Sequence, residues 1–247
     1  MQDIKIIELK RTILEDNDAD ANLLRQQLKE KGIFLINLMS SPGSGKTTTL
    51  LQLANAIKGQ ANFAVMEADI DSDVDAKTLV KSGIPSIQLH TGGMCHLDAD
   101  MTRQGISQFN GIKDSIVMLE NIGNLVCPAE FDTGAHKNIA ILSITEGDDK
   151  PAKYPLMFKT AELILFNKID TLEYFDFDIE KCKSDILKLN PNAVVLPISA
   201  KTGEGIPELA KWVLDNYKQW KESLWVKLEQ LRYMKIFLQI TLMKHKR

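Results

Sequence analysis

Ser40-Ser41-Pro42-Gly43-Ser44-Gly45-Lys46-Thr47 lies between an apolar run, Ile33-Phe34-Leu35-Ile36-Asn37-Leu38-Met39, and a helical pattern that opens Thr48-Thr49-Leu50-Leu51. Strand, glycine-rich turn and helix is the setting that a phosphate-binding P-loop requires. Gly43 and Gly45 let the backbone curl so that successive N–H groups, Ser44 among them, point at one anion. The helix that follows adds the positive end of its dipole, with Thr48 in its first turn. Lys46 is placed to reach the β- and γ-phosphates, and the Thr47 hydroxyl to ligate Mg2+. The first glycine of the usual G-x-x-x-x-G-K-S/T pattern is Ser40 here. The Gly-Lys-Thr core and its setting are intact.

At 247 residues the chain suits one α/β domain with appendages. We expect a mostly parallel sheet with helices on both faces. The expected divisions are an N-terminal helical segment (1–31), a P-loop domain (32–220) and an amphipathic basic helix (221–247). A net charge of −3 gives no electrostatic case for nucleic acid. No apolar run reaches the ~18 residues of a spanning helix. Met1 to Lys10 alternates charges and aliphatics, unlike a signal peptide. Cys95, Cys127 and Cys182 are too sparse for a disulfide framework, so a reducing cytoplasm is expected.

Upstream of the P-loop, Ile6, Leu9, Ile13, Leu24 and Leu28 recur at helical spacing, so residues 3–31 read as helix. Asn17-Asp18-Ala19-Asp20 is expected to break it or cap a second segment. Downstream, the short strand Phe63–Met66 opens onto an acidic turn with Glu67, Asp69, Asp71, Asp73 and Asp75. Ligands of parallel sheets sit beyond the carboxyl ends of strands. Asp69, nearest the strand end, is therefore expected in the Mg2+ shell or orienting the attacking water, with Asp75 second. Helix 74–81 and strand 84–89 lead to Thr91-Gly92-Gly93-Met94-Cys95-His96-Leu97. Cys and His are both metal donors, but two alone make no site, since Zn2+ or Ni2+ usually takes four or more.

Ser115–Leu119 reads as a buried strand that ends in Glu120, the position at which P-loop enzymes hold an acid beside the Mg2+-bound water. Gly123 is placed to sense a γ-phosphate through its N–H. Cys127 follows Glu120 by seven residues and so belongs near the same sheet edge as Cys95 and His96. Strand 139–145 ends in the charged loop Glu146-Gly147-Asp148-Asp149-Lys150. Strand 163–166 leads into Asn167-Lys168-Ile169-Asp170, about 120 residues after Lys46. This N-K-x-D pattern reads guanine: the Asp170 carboxylate accepts the base N1–H and N2–H, and adenine offers neither pattern. Asn167 is expected to support the loop and reach N7, and the Lys168 stem to cover the base. Strand 193–198 precedes Ser199-Ala200-Lys201, whose N–H groups suit guanine O6. Past Trp220, leucines recur at helical spacing on an increasingly basic segment, which reads as a packing or oligomerisation helix, with a membrane surface less favoured. Cys182 reads as structural.

Together these motifs resemble the HypB family, GTPases that help deliver nickel to nickel–iron hydrogenase. The resemblance covers roughly residues 33–205 and is carried by the P-loop, Cys95-His96-Leu97, Asn121–Pro128 and Glu146–Lys150. It makes Ser40 unremarkable. It implies a GTP-dependent homodimer with a Ni2+ or Zn2+ site at the subunit interface, at Cys95, His96 and Cys127. It also implies other hydrogenase maturation factors and the hydrogenase large subunit as partners. No cysteine precedes Cys95 and no histidine precedes His90, so the nickel-storage motifs of some members are lacking. The expected reaction is slow attack of water on the γ-phosphate of GTP, with Lys46, Asp69 and Glu120 at the reacting centre. A urease-accessory GTPase, a metal carrier that holds GTP without turnover, and a P-loop kinase are the rival readings.

Overall fold

A computed structural model describes residues 9–69 and 74–223. Helix α1 (Leu9–Glu30) leads into β1 (Ile33–Ser40), α2 (Lys46–Ala56), β2 (Asn62–Asp69), α3 (Val74–Lys81) and β3 (Ser86–His90). There follow α4 (Ala99–Ser107), β4 (Ser115–Glu120), α5 (Cys127–Glu130), β5 (Lys137–Ser143), α6 (Lys150–Lys153), α7 (Pro155–Thr160), β6 (Leu163–Asn167), α8 (Ile179–Leu189) and β7 (Val194–Pro197). Helix α9 spans 206–223. The strands form one sheet in the order β3-β2-β4-β1-β5-β6-β7, and every pairing is parallel.

Parallel strands need covering helices on both faces. Strand β1 is central, and all eight of its residues are buried. Phe34, Ile36 and Leu38 pack with Leu50 and Leu53 of α2 and with Leu209 and Val213 of α9. Ile33 and Leu35 pack the other way, against Leu24 and Leu28 of α1 and Ile106 of α4. A third cluster joins Met39 to Phe158 of α7 and to Cys182 and Ile186 of α8. Cys182 is fully buried, and burial pushes its thiol up to about 12, as suits a structural cysteine. No helix among the described residues is long and apolar enough to cross a membrane.

Three local expectations change. Helix α1 runs unbroken through Asn17–Asp20. Such side chains break helices when they turn back on their own backbone. Here Asn17 reaches sideways to Ala99 and Asp132, and Asp20 receives Arg103 at 2.6 Å. Strand β2 extends to Asp69, so Glu67 and Asp69 belong to the ladder between β3 and β4, and Glu67 is buried instead of solvated in a turn. Strand β5 stops at Ser143, where a capping box with Glu146 starts the short helical turn Ile144–Glu146. Residues 1–8, Asp71, Asp73 and the tail 224–247 lie outside the described residues, and with them the expected basic C-terminal helix.

Helix α9 docks through an aromatic cluster. Trp220 lies 5.2 Å from Phe34 and 4.9 Å from His136, and Phe34 stacks on His136 at 5.3 Å. The His136 Nδ1 accepts the Leu35 N–H at 3.1 Å. Burial, with Arg25 and Lys29 of α1 nearby, lowers this imidazole from 6.5 to about 4. A folded pKa below the unfolded one means that stability is whole above pH 6.5 and is lost as pH falls toward 4. That loss amounts to about 3 kcal/mol over the window. Chemical denaturation across pH 7 to 4 is expected to show it, and His136→Gln to flatten the slope.

Candidate functional site

Seven parallel strands put seven carboxyl ends on one edge, and the expected site residues gather there. The P-loop leaves β1 at Ser40. Ser40 Oγ accepts from Ser44 Oγ at 2.6 Å and from Lys46 Nζ at 3.1 Å, so the serine in the place of the usual glycine steadies the lysine. Gly43 and Gly45 have φ of 71° and 97°. Gly45 is required on a second count. A Cβ there would lie 2.4 Å from the Asn167 side-chain nitrogen.

Asn167, buried at the end of β6, is a hub. Its nitrogen donates to Ser44 O at 2.8 Å, and its oxygen accepts from the N–H groups of Lys168 (2.8 Å) and Ala200 (3.1 Å). One amide thus ties the P-loop, the N-x-x-D loop and the loop after β7. Lys168, in left-handed backbone at φ 66°, bonds Gly43 O at 2.7 Å with Nζ, so its stem crosses from β6 to the P-loop. Asp170 accepts the Ser199 hydroxyl at 2.6 Å and has Lys201 Nζ at 3.9 Å. Of the Ser199–Lys201 N–H groups, that of Ser199 donates to Glu204 O and that of Ala200 to Asn167.

Thr47 Oγ1 donates to Glu120 Oε1 at 2.9 Å. In the ladder Glu67 stands directly beside Glu120, so both carboxylates emerge from the same face of the sheet as Val65 and Met118. Asp69, two residues on, shares that face at the strand end and is half-buried. Thr48 is exposed on α2, and Asp75 opens α3. Ser41 Oγ donates to Glu146, which anchors the P-loop to the turn after β5.

The structure brings Cys95 and Cys127 together, with His96 beside Cys95. Cys95 Sγ and Cys127 Sγ are 2.9 Å apart, and His96 Nδ1 lies 3.9 Å from Cys95 Sγ. The His96 ring stacks on Phe131 at 3.7 Å. Among the described residues no three His, Cys, Asp or Glu side chains are arranged to hold a metal ion by themselves. The hydrogen bond with Cys95, then burial, raises the Cys127 thiol above its usual range. Burial lowers His96, against the carboxylates of Asp98 and Glu130.

The segment between Glu120 and Cys127 touches the P-loop directly. A Cβ on Gly123 would meet Pro42 N at 2.8 Å. Its root is pinned by a chain of amides: Asn121 donates to Asn37 at 3.0 Å and Asn37 to Asn138 at 3.1 Å.

A family model described as CobW/HypB/UreG, nucleotide-binding domain, matches residues 10–197. Hydrogenase maturation factor HypB of Azotobacter chroococcum mcd 1 is 42% identical over 209 residues, 85% of this chain and 68% of that one. The crystal structure of HypB from Helicobacter pylori in complex with nickel superposes with a TM-score of 0.79 at 36% identity, covering 83% of this chain and 96% of that one. HypB from Archaeoglobus fulgidus gives 0.77 at 34% identity, over 83% and 100%.

The chain belongs to the HypB family.

Local sequence patterns leave three contributors to the site unannounced. Glu67 was hidden in an acidic run that reads as a solvated turn. Its signal was the apolar flank Phe63–Met66 with Ala68 beyond it, which fits a longer strand. The Asn121–Asn37–Asn138 chain and the Phe131 stack join residues far apart in sequence, and no local pattern announces them.

Gly45→Ala is expected to push Asn167 off Ser44 O, with strain of about 1–3 kcal/mol. A fluorescent guanine nucleotide should then bind roughly tenfold more weakly or worse, while circular dichroism keeps the wild-type spectrum.

Proposed function

We propose that this chain is a GTP-hydrolysing nickel metallochaperone that serves the maturation of a nickel–iron hydrogenase. One observation carries the proposal: a single short segment runs from Glu120, bonded to the P-loop threonine, to Cys127, paired with Cys95. Nucleotide site and thiol site are two ends of one loop. Family membership and the nickel-bound relative support it.

In this reading residues 32–220 are the GTPase unit, flanked by helical segments 1–31 and 221–247. The Gly43–Thr47 backbone and Lys46 hold the β- and γ-phosphates. Asp170 accepts from the guanine edge, with the Ser199 hydroxyl fixing one of its oxygens, and Lys201 N–H faces O6. Asn167 acts mainly by holding the three loops together. Thr47, Glu120 and Glu67 form an oxygen-rich donor set that fits Mg2+. Those three side chains would hold such an ion, and it would supply positive charge against the phosphates. Asp69 orients water at the strand end. Water oxygen bonds to the γ-phosphorus as the bond to the β-bridging oxygen breaks, which leaves GDP and phosphate. Arg25 and Arg103 are both held by carboxylates on α1 and its neighbours. Neither of these two described arginines is placed as an arginine finger, which supports a slow turnover.

Nickel is cargo. Each chain brings two thiols and one imidazole, short of the four or more donors that Ni2+ or Zn2+ takes. A GTP-bound homodimer supplies the rest across its two-fold axis. Loss of the γ-phosphate shifts Gly123 off Pro42, moves Cys127 and releases the metal toward hydrogenase maturation partners. The site residues sit in a chain suited to a reducing cytoplasm.

The test is a Ni2+ titration with GDP or a non-hydrolysable GTP analogue bound, beside gel filtration. Stoichiometric binding should vanish in Cys127→Ala, and affinity should differ by about tenfold between nucleotides. Equal nickel affinity in both states, with an unchanged oligomer, would sink the coupling. Separately, Asp170→Ala should reduce the preference for GTP over ATP by roughly 100-fold, read by competition against a labelled nucleotide.

A further inference from the structure

Asn17 sits in the middle of α1, where alanine would favour the helix more. Its amide spends both ends on other parts of the fold. The oxygen accepts the Ala99 N–H at 3.0 Å, and the nitrogen donates to the Asp132 carbonyl at 2.9 Å. Ala99 is three residues past His96, and Asp132 is five past Cys127. The asparagine therefore joins the two segments that carry the soft ligands.

Those segments are fixed from their downstream ends. Upstream, the Cys95 loop opens with Gly92 and Gly93 at φ of 62° and 98°, followed by an exposed Met94. The Cys127 segment likewise arrives through Gly123 and an exposed Val126. Downstream, Asp98 caps α4 by accepting the Met101 N–H at 2.8 Å. Asp132 grips Arg25 of α1 and accepts the Gly134 N–H. Phe131, beside Asp132, stacks on His96. Two contacts cross between the segments near these ends, the Phe131–His96 stack and the bridge through Asn17, and the second is the hydrogen-bonded one. Only a side chain with a donor and an acceptor on one planar group makes both contacts.

We propose that Asn17 is the positioning residue of the Cys95–His96–Cys127 cluster, its amide setting the separation of the two ligand-bearing segments. The proposal rests on reading the cluster as nickel ligands, yet the separation of the sulfurs is measurable without metal. Two readouts are taken on the full chain. One is the rate at which diamide joins Cys95 and Cys127 in metal-free protein, followed by peptide mass mapping. The other is Ni2+ affinity. Asn17→Ala should slow the first and weaken the second by about tenfold, with guanine nucleotide affinity at the wild-type value. Asp20→Ala, which removes the Arg103 pair one turn along the same helix, should leave both readouts unchanged. Asn17→Asp keeps the acceptor and loses the donor. It should show the same split, and it stands in if the alanine variant folds poorly. Wild-type values of both readouts in Asn17→Ala overturn the proposal, as does an equal loss in Asp20→Ala. If the wild type binds no nickel, the nickel function fails and the disulfide rate alone decides the role of Asn17.

Discussion

Burial of β1 on both faces is the constraint from which the rest of the molecule follows. A strand with no polar face must be covered above and below, and eight buried residues in a row leave it no edge. Its neighbours β4 and β5 are therefore forced to be parallel and buried too, with helices returning the chain each time. The backbone that leaves β1 emerges between them at the centre of the sheet edge. That is where a turn must be tight and where α2 points its N-terminal end. The P-loop is thus placed by hydrophobic burial before any ligand is considered.

Local motifs made this half of the molecule legible. The P-loop, the Asn167–Asp170 loop and Ser199–Lys201 each follow an apolar strand, and each declares itself in a few consecutive residues. Strand limits were readable where apolar runs ended in turn residues, as at Ser115–Glu120. They failed where polar residues continued a ladder, as at Glu67 and Asp69. A carboxylate inside a strand looks like a turn until the neighbouring strand shows what lies beside it. Asn17–Asp20 failed for the opposite reason. Asparagine and aspartate break helices when their partners are local, and the partners here are Ala99, Asp132 and Arg103, far along the chain.

Polar side chains at long range do what the motifs do not. Asn167 ties three loops through one amide, and Asn17 ties two segments through another. Both are partly or wholly removed from water, where an unmade hydrogen bond costs about 1–3 kcal/mol. Each amide is therefore satisfied only in one arrangement of the loops it joins, so it selects that arrangement as well as stabilising it. A hydrophobic contact in the same place would tolerate sliding. The nucleotide loops and the thiol segments are each specified by a planar group with a donor and an acceptor.

The segment from Glu120 to Cys127 has a different mechanical character from either hub. Its root cannot move without breaking the buried Asn121–Asn37–Asn138 chain, and its far end enters α5, with Pro128 at the second position. Between them Gly123 leans on Pro42 with no side chain to cushion the contact. The pinned root, the bare contact at Gly123 and the short helix α5 lie on one continuous stretch between the P-loop and Cys127. Displacement of the P-loop by as little as a methyl radius is felt at Gly123, because close-packed atoms transmit strain and do not absorb it. The far end carries the Cys127 thiol, held downstream through Asp132 to α1, while its partner Cys95 sits on a separate loop held through α4 and α1. Metal affinity depends steeply on ligand geometry, so the coupling proposed above would act on this sulfur–sulfur separation.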